Sequence, residues 1–439
     1  MEKIFAKAHK LLGGRKMKRM RFAVIVLFTI ILISATVNEV YAGDGSVDFD
    51  SKKYQEMISR SLLSEGNNMR LKKAIEKAKR GEDVTIACIG GSITQGAGAE
   101  PINKNCYAYQ SYLRFKEMFG RDGGENIHFV KAGVGGTPSQ LGVIRYERDV
   151  LRDGKVDPDI VIVEFAVNDL DDETKGVCFE SLVLKTLSGE SKPAVILFFS
   201  VFKTGWNLQD RLAPVGEYYD LPMVSVKDAV VGQFSLAPGE RVISKKEFFY
   251  DQYHPTNDGH RIMADCLGYL FAQTDKAEMT KEDIVIDKEP LIGDDFKDVK
   301  LLDRGNYEGV ATIEEGGFNK KDHDLQRVEL DTDTMGTSQF PNNWMNTLYS
   351  GLDSFKMTIK SRSLILVYKD SGSSSFGKAD IFIDGKYLKT ADPHANNWTH
   401  TSTMILYNED KAREHKVEIK MAEGNEVKAF TILGFGYTL

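Results

Sequence analysis

The stretch Ile89-Gly90-Gly91-Ser92-Ile93-Thr94-Gln95-Gly96 closes an apolar, β-branched run that begins at Val84. A short apolar run ending in glycines reads as a buried strand. The glycines supply backbone geometry that bulkier residues resist, and a helical pattern follows. A serine at such a strand-to-helix turn can project its hydroxyl from the carboxyl edge of a sheet, near the free N–H groups of a helix start. In an open α/β sheet that edge is where a nucleophile belongs. Taken alone, a Gly-Gly-Ser turn is more often just a turn. Ser92 therefore needs a context.

Outward from this turn, strands and helices alternate from Val84 to about Ala272. Strands are expected at Val84–Ile89, 127–131, 159–166, 194–201 and 222–226. Helical patterns fill the intervals at 107–119, 140–151, 174–187 and 257–272. Met69, Leu71, Ala74, Ile75 and Ala78 recur at helical spacing, so 67–80 is an amphipathic helix. Continuous apolar strands interleaved with helices predict a doubly wound α/β domain, its parallel sheet covered on both faces.

The texture then changes. Residues 274–302 are charged and read as a linker. Residues 303–439 offer short alternating strands at 325–330, 354–359, 363–368, 379–383, 402–406, 415–422 and 428–435, separated by turn signals such as Asp384-Gly385 and Gly424-Asn425. That is the pattern of a smaller all-β sandwich. The expected organisation is a leader over 1–42, a lead-in over 43–83, the α/β domain over 84–273, the linker, and the β-sandwich over 303–439.

The leader reading rests on eight Lys or Arg and one acid in residues 1–21, an apolar run of 16 residues from Phe22 to Val37, and Val40-Tyr41-Ala42 before Gly43. The run is short for a membrane span, which needs about 20 residues. Such a signal implies a secreted or cell-surface protein, with no stable membrane span in the mature chain. The whole chain of 439 residues carries a formal charge of −7, and residues 1–42 hold eight bases and two acids, leaving −13 for the rest. That charge excludes nucleic acid as a natural partner. Four cysteines, Cys88, Cys106, Cys178 and Cys266, lie scattered among apolar stretches with no metal-ligand spacing. They read as buried free thiols, with room for one disulfide.

Three further segments bear on Ser92. Lys131-Ala132-Gly133-Val134-Gly135-Gly136-Thr137 ends the second expected strand, and a glycine there can bring a backbone N–H close to a bound oxygen. Phe165-Ala166-Val167-Asn168-Asp169 ends the third, and the Asn168 amide offers two donors suited to an oxyanion, although Asn-Asp is also a common turn or N-cap. Asp251-Gln252-Tyr253-His254-Pro255 precedes the last helix of the domain. A histidine there can take the serine proton, and an acid three residues earlier can reach its other ring nitrogen.

The order Ser…Gly…Asn…Asp-x-x-His resembles the SGNH hydrolase superfamily, also called GDSL-like esterases, over residues 84–272. The resemblance implies a flavodoxin-like three-layer α/β/α fold and a Ser-His-Asp triad, with no metal or organic cofactor. By motif it makes Ser92 the nucleophile, His254 the base and Asp251 its orienter. The oxyanion hole becomes the N–H groups of Ser92 and Gly136, with Gly135 one residue off, and the side chain of Asn168. Two blocks depart from the general pattern. Gly-Gly-Ser-Ile-Thr stands for Gly-Asp-Ser-Leu, and Ala166-Val167-Asn168-Asp169 for Gly-x-Asn-Asp. The first variant is similar to a bacterial branch that includes carbohydrate acetylesterases. The second domain resembles the β-sandwich carbohydrate-binding modules attached to esterases.

Glu164 interrupts the apolar strand before Asn168 and needs a partner if buried. Lys131 on an adjacent strand is the expected one, and an acid near the active site is the other reading. His260 reads as structural or capping. Trp344 and Trp398 stand in Asn-Trp loops and are candidate sugar-binding residues, or else belong to the sandwich core or the domain interface. The expectation is a secreted esterase acting on an acetylated polysaccharide or oligosaccharide, its second domain packed near the catalytic loops and helping to hold the glycan. A lipase or thioesterase, and a catalytically silent carbohydrate-binding surface protein, are the alternatives.

Overall fold

The first sheet has six strands: β1 (Leu62–Ser64), β2 (Val84–Gly90), β3 (Ile127–Gly133), β4 (Ile160–Glu164), β5 (Ala194–Phe199) and β6 (Met223–Ser225). Their spatial order is β1-β6-β5-β4-β2-β3, with β2 to β6 parallel and β1 antiparallel at the edge. The parallel strands thus run in the flavodoxin-like order 2-1-3-4-5, whose switch point falls between β2 and β4. The computed structural model describes residues 47–328 and 336–439, so the expected leader and part of the strand expected at 325–330 lie outside the described residues. Residues 48–439 cluster as one unit.

Both faces of this sheet are covered, which is why its strands are apolar without alternation. Ala87 and Ile89 join a core with Leu141, Leu182 and Leu212 from helices Ser139–Asp149, Val177–Leu187 and Gln209–Tyr218. The other face carries Met69–Lys79, Tyr107–Phe119 and Asn257–Lys276, which pack on one another. The helix Gln209–Tyr218 has no counterpart among the expected elements, because Pro214 interrupts its pattern. All four cysteines are buried, and none of them is in a disulfide. Among the described residues, no helix is long and apolar enough to cross a membrane.

The second domain is antiparallel and all-β. Its strands are β7 (Lys300–Leu302), β8 (Ala311–Glu314), β9 (Arg327–Val328), β10 (Thr337–Ser338), β11 (Trp344–Asn346), β12 (Phe355–Asp370), β13 (Ala379–Ile383), β14 (Lys386–Ala391), β15 (His400–Met421) and β16 (Phe430–Thr438). Two pairs of expected strands merge into the long strands β12 and β15. The polar break Ser361-Arg362-Ser363 reads as a turn but is a register shift against β15. It switches the inward residues from Phe355, Met357 and Ile359 to Leu364, Leu366 and Tyr368, as an extra residue in one strand must.

Beyond that shift, β12 is buried on its other face too. Ile365 and Val367 enter the core of the α/β domain together with Phe340 and Leu433. The charged segment between the domains also packs: Ile284, Phe296 and Val299 are buried there, and the Glu180 carboxylate accepts the N–H groups of Leu291, Ile292 and Gly293. One apolar core therefore runs through the domain boundary.

Candidate active site

Ser92 is the first residue of the short helix Ser92–Gln95, immediately past β2. Its Oγ lies 2.9 Å from His254 Nε2, and His254 Nδ1 lies 2.8 Å from Asp251 Oδ2. The other Asp251 oxygen accepts the N–H groups of Tyr253 and His254 at 2.7 and 2.8 Å. Burial opposes the charge on Asp251, but the His254 ring and these two N–H groups hold its carboxyl below the usual range. An ionised Asp251 accepts a hydrogen bond from Nδ1–H, which keeps the proton on Nδ1 and leaves Nε2 to accept from the serine hydroxyl. The loop is pinned by a bridge between Phe249 and Pro255 and by a hydrogen bond from Tyr250 N–H to the His254 carbonyl at 2.9 Å.

Asn168 opens the 3-10 turn Asn168–Asp171 after β4. Its side chain lies directly over Gly91: a Cβ at Gly91 would fall 2.0 Å from Asn168 Oδ1 and 2.5 Å from its Cγ. Asn168 Oδ1 is buried without a hydrogen-bond partner. The next residue, Asp169, is fully buried and accepts the Ser139 N–H at 2.7 Å and the Ser139 hydroxyl at 2.9 Å. Asp169 thus ties the Asn168 turn to the helix that follows the glycine loop, a cross-link its sequence context does not reveal. Burial and the neighbouring Asp172 push its carboxyl up to about 8.

Gly136 sits at φ +70°, in the left-handed region that favours glycine. The N–H groups of Ser92 and Gly136 donate to no other atom among the described residues. Serine hydroxyl, imidazole and free donors thus face one carboxyl edge, an arrangement able to run acyl transfer through a tetrahedral intermediate.

The two candidate tryptophans part company. Trp398 is 44% exposed and lies against the glycine loop, where a Cβ at Gly136 would meet its ring at 3.0 Å. Trp344 is fully buried, packs its ring on Phe355 at 5.3 Å and donates Nε1–H to Glu315 at 3.1 Å. It belongs to the core of the second domain and has no face for a sugar, which corrects its placement among the binding candidates. Sequence reasoning also passed over Phe202, Trp206 and Tyr253. These rings form a cluster beside His254 in which Trp206 and Tyr253 are exposed, with half-buried Phe202 5.8 Å from Trp206 and 5.1 Å from Tyr253. The only signal for them was Tyr253 inside the Asp-x-x-His segment.

Glu164 does not take Lys131 from an adjacent strand, because β2 separates β3 from β4. Its carboxylate meets the hydroxyls of Ser200 and Thr94, while Lys131 donates to the Gln95 carbonyl at 3.1 Å. Burial raises the Glu164 carboxyl to about 7 despite those hydrogen bonds. His260 is buried as well, accepting the Tyr107 N–H at Nδ1 and facing the Ala97 carbonyl at Nε2, and burial lowers it to about 4.

Because Glu164 titrates higher in the folded chain, it favours folding fully below its unfolded pKa of about 4.5, an advantage lost as pH rises through about 7. Thermal melts of Glu164→Gln should therefore decline less than wild type between about pH 5 and 8, the difference reaching at most about 1.4 kcal/mol per pH unit. Parallel curves would show that Glu164 is already ionised at pH 5.

Residues 88–262 match the model of the GDSL-like Lipase/Acylhydrolase family. Among solved structures, a two-domain esterase (CEX) active on acetylated mannans aligns at 27% identity over 87% of this chain and 99% of its own, with a TM-score of 0.72. The same esterase co-crystallised with mannopentaose aligns over 87% and 98%, again at 27% identity and a TM-score of 0.72. The acetylxylan esterase Axe2 from Geobacillus stearothermophilus aligns at 21% identity over 46% of this chain and 99% of its own, with a TM-score of 0.33. No curated protein matches the chain. The α/β domain thus has the fold of the GDSL-like lipase/acylhydrolases that residues 88–262 match, a separate all-β domain follows it, and the chain is an esterase acting on carboxylic esters.

Proposed function

We propose that this chain is a secreted serine esterase that removes O-acetyl groups from a polysaccharide or its oligosaccharides, with acetylated mannan the first candidate. The observation that carries the reading is the continuous path Asp251–His254–Ser92, with contacts of 2.8 and 2.9 Å. Ser92 Oγ attacks the acetyl carbonyl while His254 Nε2 takes its proton. The oxyanion rests on the N–H groups of Ser92 and Gly136 and on the Asn168 amide. His254 then returns the proton to the departing sugar oxygen. Water, deprotonated by His254, hydrolyses the acetyl-enzyme and releases acetate and the free serine.

Carbohydrate is favoured over a lipid by what flanks this path. Exposed aromatic faces stand on both sides, Trp398 by the glycine loop and Tyr253 and Trp206 by His254, and flat rings of this kind suit the apolar faces of sugars. The two-domain esterase that aligns along most of this chain acts on acetylated mannans. Export is supported by the basic start and the apolar run 22–37; N-terminal sequencing of the secreted product should begin at Gly43.

Acetate release from acetylated mannan, xylan, pectin and peptidoglycan tests the substrate class. Mannan should be turned over fastest, and Trp398→Ala should raise KM on it about 10-fold while leaving p-nitrophenyl acetate KM nearly unchanged. Equal slow rates on all four, with fast hydrolysis of long-chain esters, would refute the carbohydrate reading.

A further inference from the structure

Both peptide units that flank Gly136 are held from the second domain. Gln326 Nε2 donates to the Gly135 carbonyl at 2.6 Å, and its Oε1 accepts the Thr401 N–H at 3.1 Å. His400 Nε2 meets the Gly136 carbonyl at 2.9 Å. The Asn396 amide nitrogen lies 2.7 Å from Asp370 Oδ2 and 3.2 Å from His400 Nδ1. One of its protons goes to the carboxylate and the other to Nδ1. A neutral ring that accepts at Nδ1 carries its own proton on Nε2, so His400 is the donor to Gly136. Burial, which lowers the pKa of His400, keeps the ring neutral.

In a trans peptide the C=O and the following N–H share one plane and point opposite ways. A donor clamped on the Gly135 carbonyl therefore also aims the Gly136 N–H. Gly136 has no side chain and a left-handed backbone, so it supplies little stiffness of its own. A donor that must meet an oxyanion within a few tenths of an ångström then depends on what grips its peptide from outside.

We infer that Gln326 and His400 are positioning residues of the ester-hydrolysis reaction, orienting the Gly136 N–H towards the oxyanion from the second domain. The inference rests on Gly136 being an oxyanion donor in the proposed mechanism. It gives the second domain a part in the chemistry of every acetyl ester, including one too small to reach a glycan-binding surface. A domain that only holds glycan would leave such an ester untouched.

The test uses the full chain and p-nitrophenyl acetate. Gln326→Met keeps the length of the side chain and removes the donor; His400→Leu removes the ring. Each should lower kcat about 10- to 100-fold with KM changed less than about 3-fold. His400→Gln, whose amide N–H reaches about as far as Nε2–H, should recover most of the loss. Near-ultraviolet circular dichroism and melting curves identify any variant that has lost its fold; if His400→Leu does, Gln326→Met decides. A Gln326→Met kcat within about twofold of wild type, beside an inactive Ser92→Ala, overturns the inference and leaves the serine mechanism standing. Wild-type turnover by Ser92→Ala would remove the mechanism itself.

Discussion

Ser92→Ala should lower turnover on any acetyl ester by on the order of 10⁶ while leaving the fold intact. The hydroxyl faces His254 Nε2 at 2.9 Å, so its removal opens no apolar cavity and strands no second buried group. What disappears is the proposed nucleophile, whose hydroxyl meets the imidazole held by Asp251. A water could take its place, but without the covalent acetyl-enzyme the single difficult step is no longer divided. Stopped-flow assays of p-nitrophenyl acetate should lose the burst of p-nitrophenol as well as the steady rate. A variant within about tenfold of wild-type kcat would mean that another group attacks the ester.

Gly91→Ala is expected to cost about 10²–10³ in kcat, although Gly91 performs no chemistry. The cause is space: the added methyl would stand 2.0 Å from Asn168 Oδ1 and push the amide away from the oxyanion. A double-mutant cycle isolates this route. Gly91→Ala should add little to Asn168→Ala, since the first acts through the second. Independent, multiplicative losses would show that the methyl disturbs Ser92 instead.

Much of the α/β domain was legible because a parallel sheet imposes a coarse code. Runs such as Ile160–Glu164 are buried on both faces and cannot be mistaken for surface. Ser92 and Asn168 stood out because each follows such a strand by a few residues, and Asp251 and His254 because they stand just before the last helix of the domain. The two Asn-Trp loops shared one local texture and met opposite fates. Pairing of Trp344 with Ile432 on β16 turns that indole inward, whereas Trp398 sits in the loop before β15. Nothing within a few residues of either tryptophan encodes that difference. Gln326 and His400 were invisible for a related reason. Their partners, Gly135 and Gly136, lie 191 and 264 residues away in the chain. Ser361 and Ser363 looked like a turn because a polar break is what turns and bulges have in common.

The passage of Ile365, Val367, Phe340 and Leu433 into the core of the first domain has a historical consequence. A binding module joined by a loose tether can be cut, swapped or appended as a cassette, and its host keeps working. Here the joint is itself interior, and separating the halves would wet apolar surface on both. The two domains should melt in one calorimetric transition and must change together when either drifts. New specificity for this enzyme would then arise by remodelling loops around a fixed seam rather than by acquiring another module.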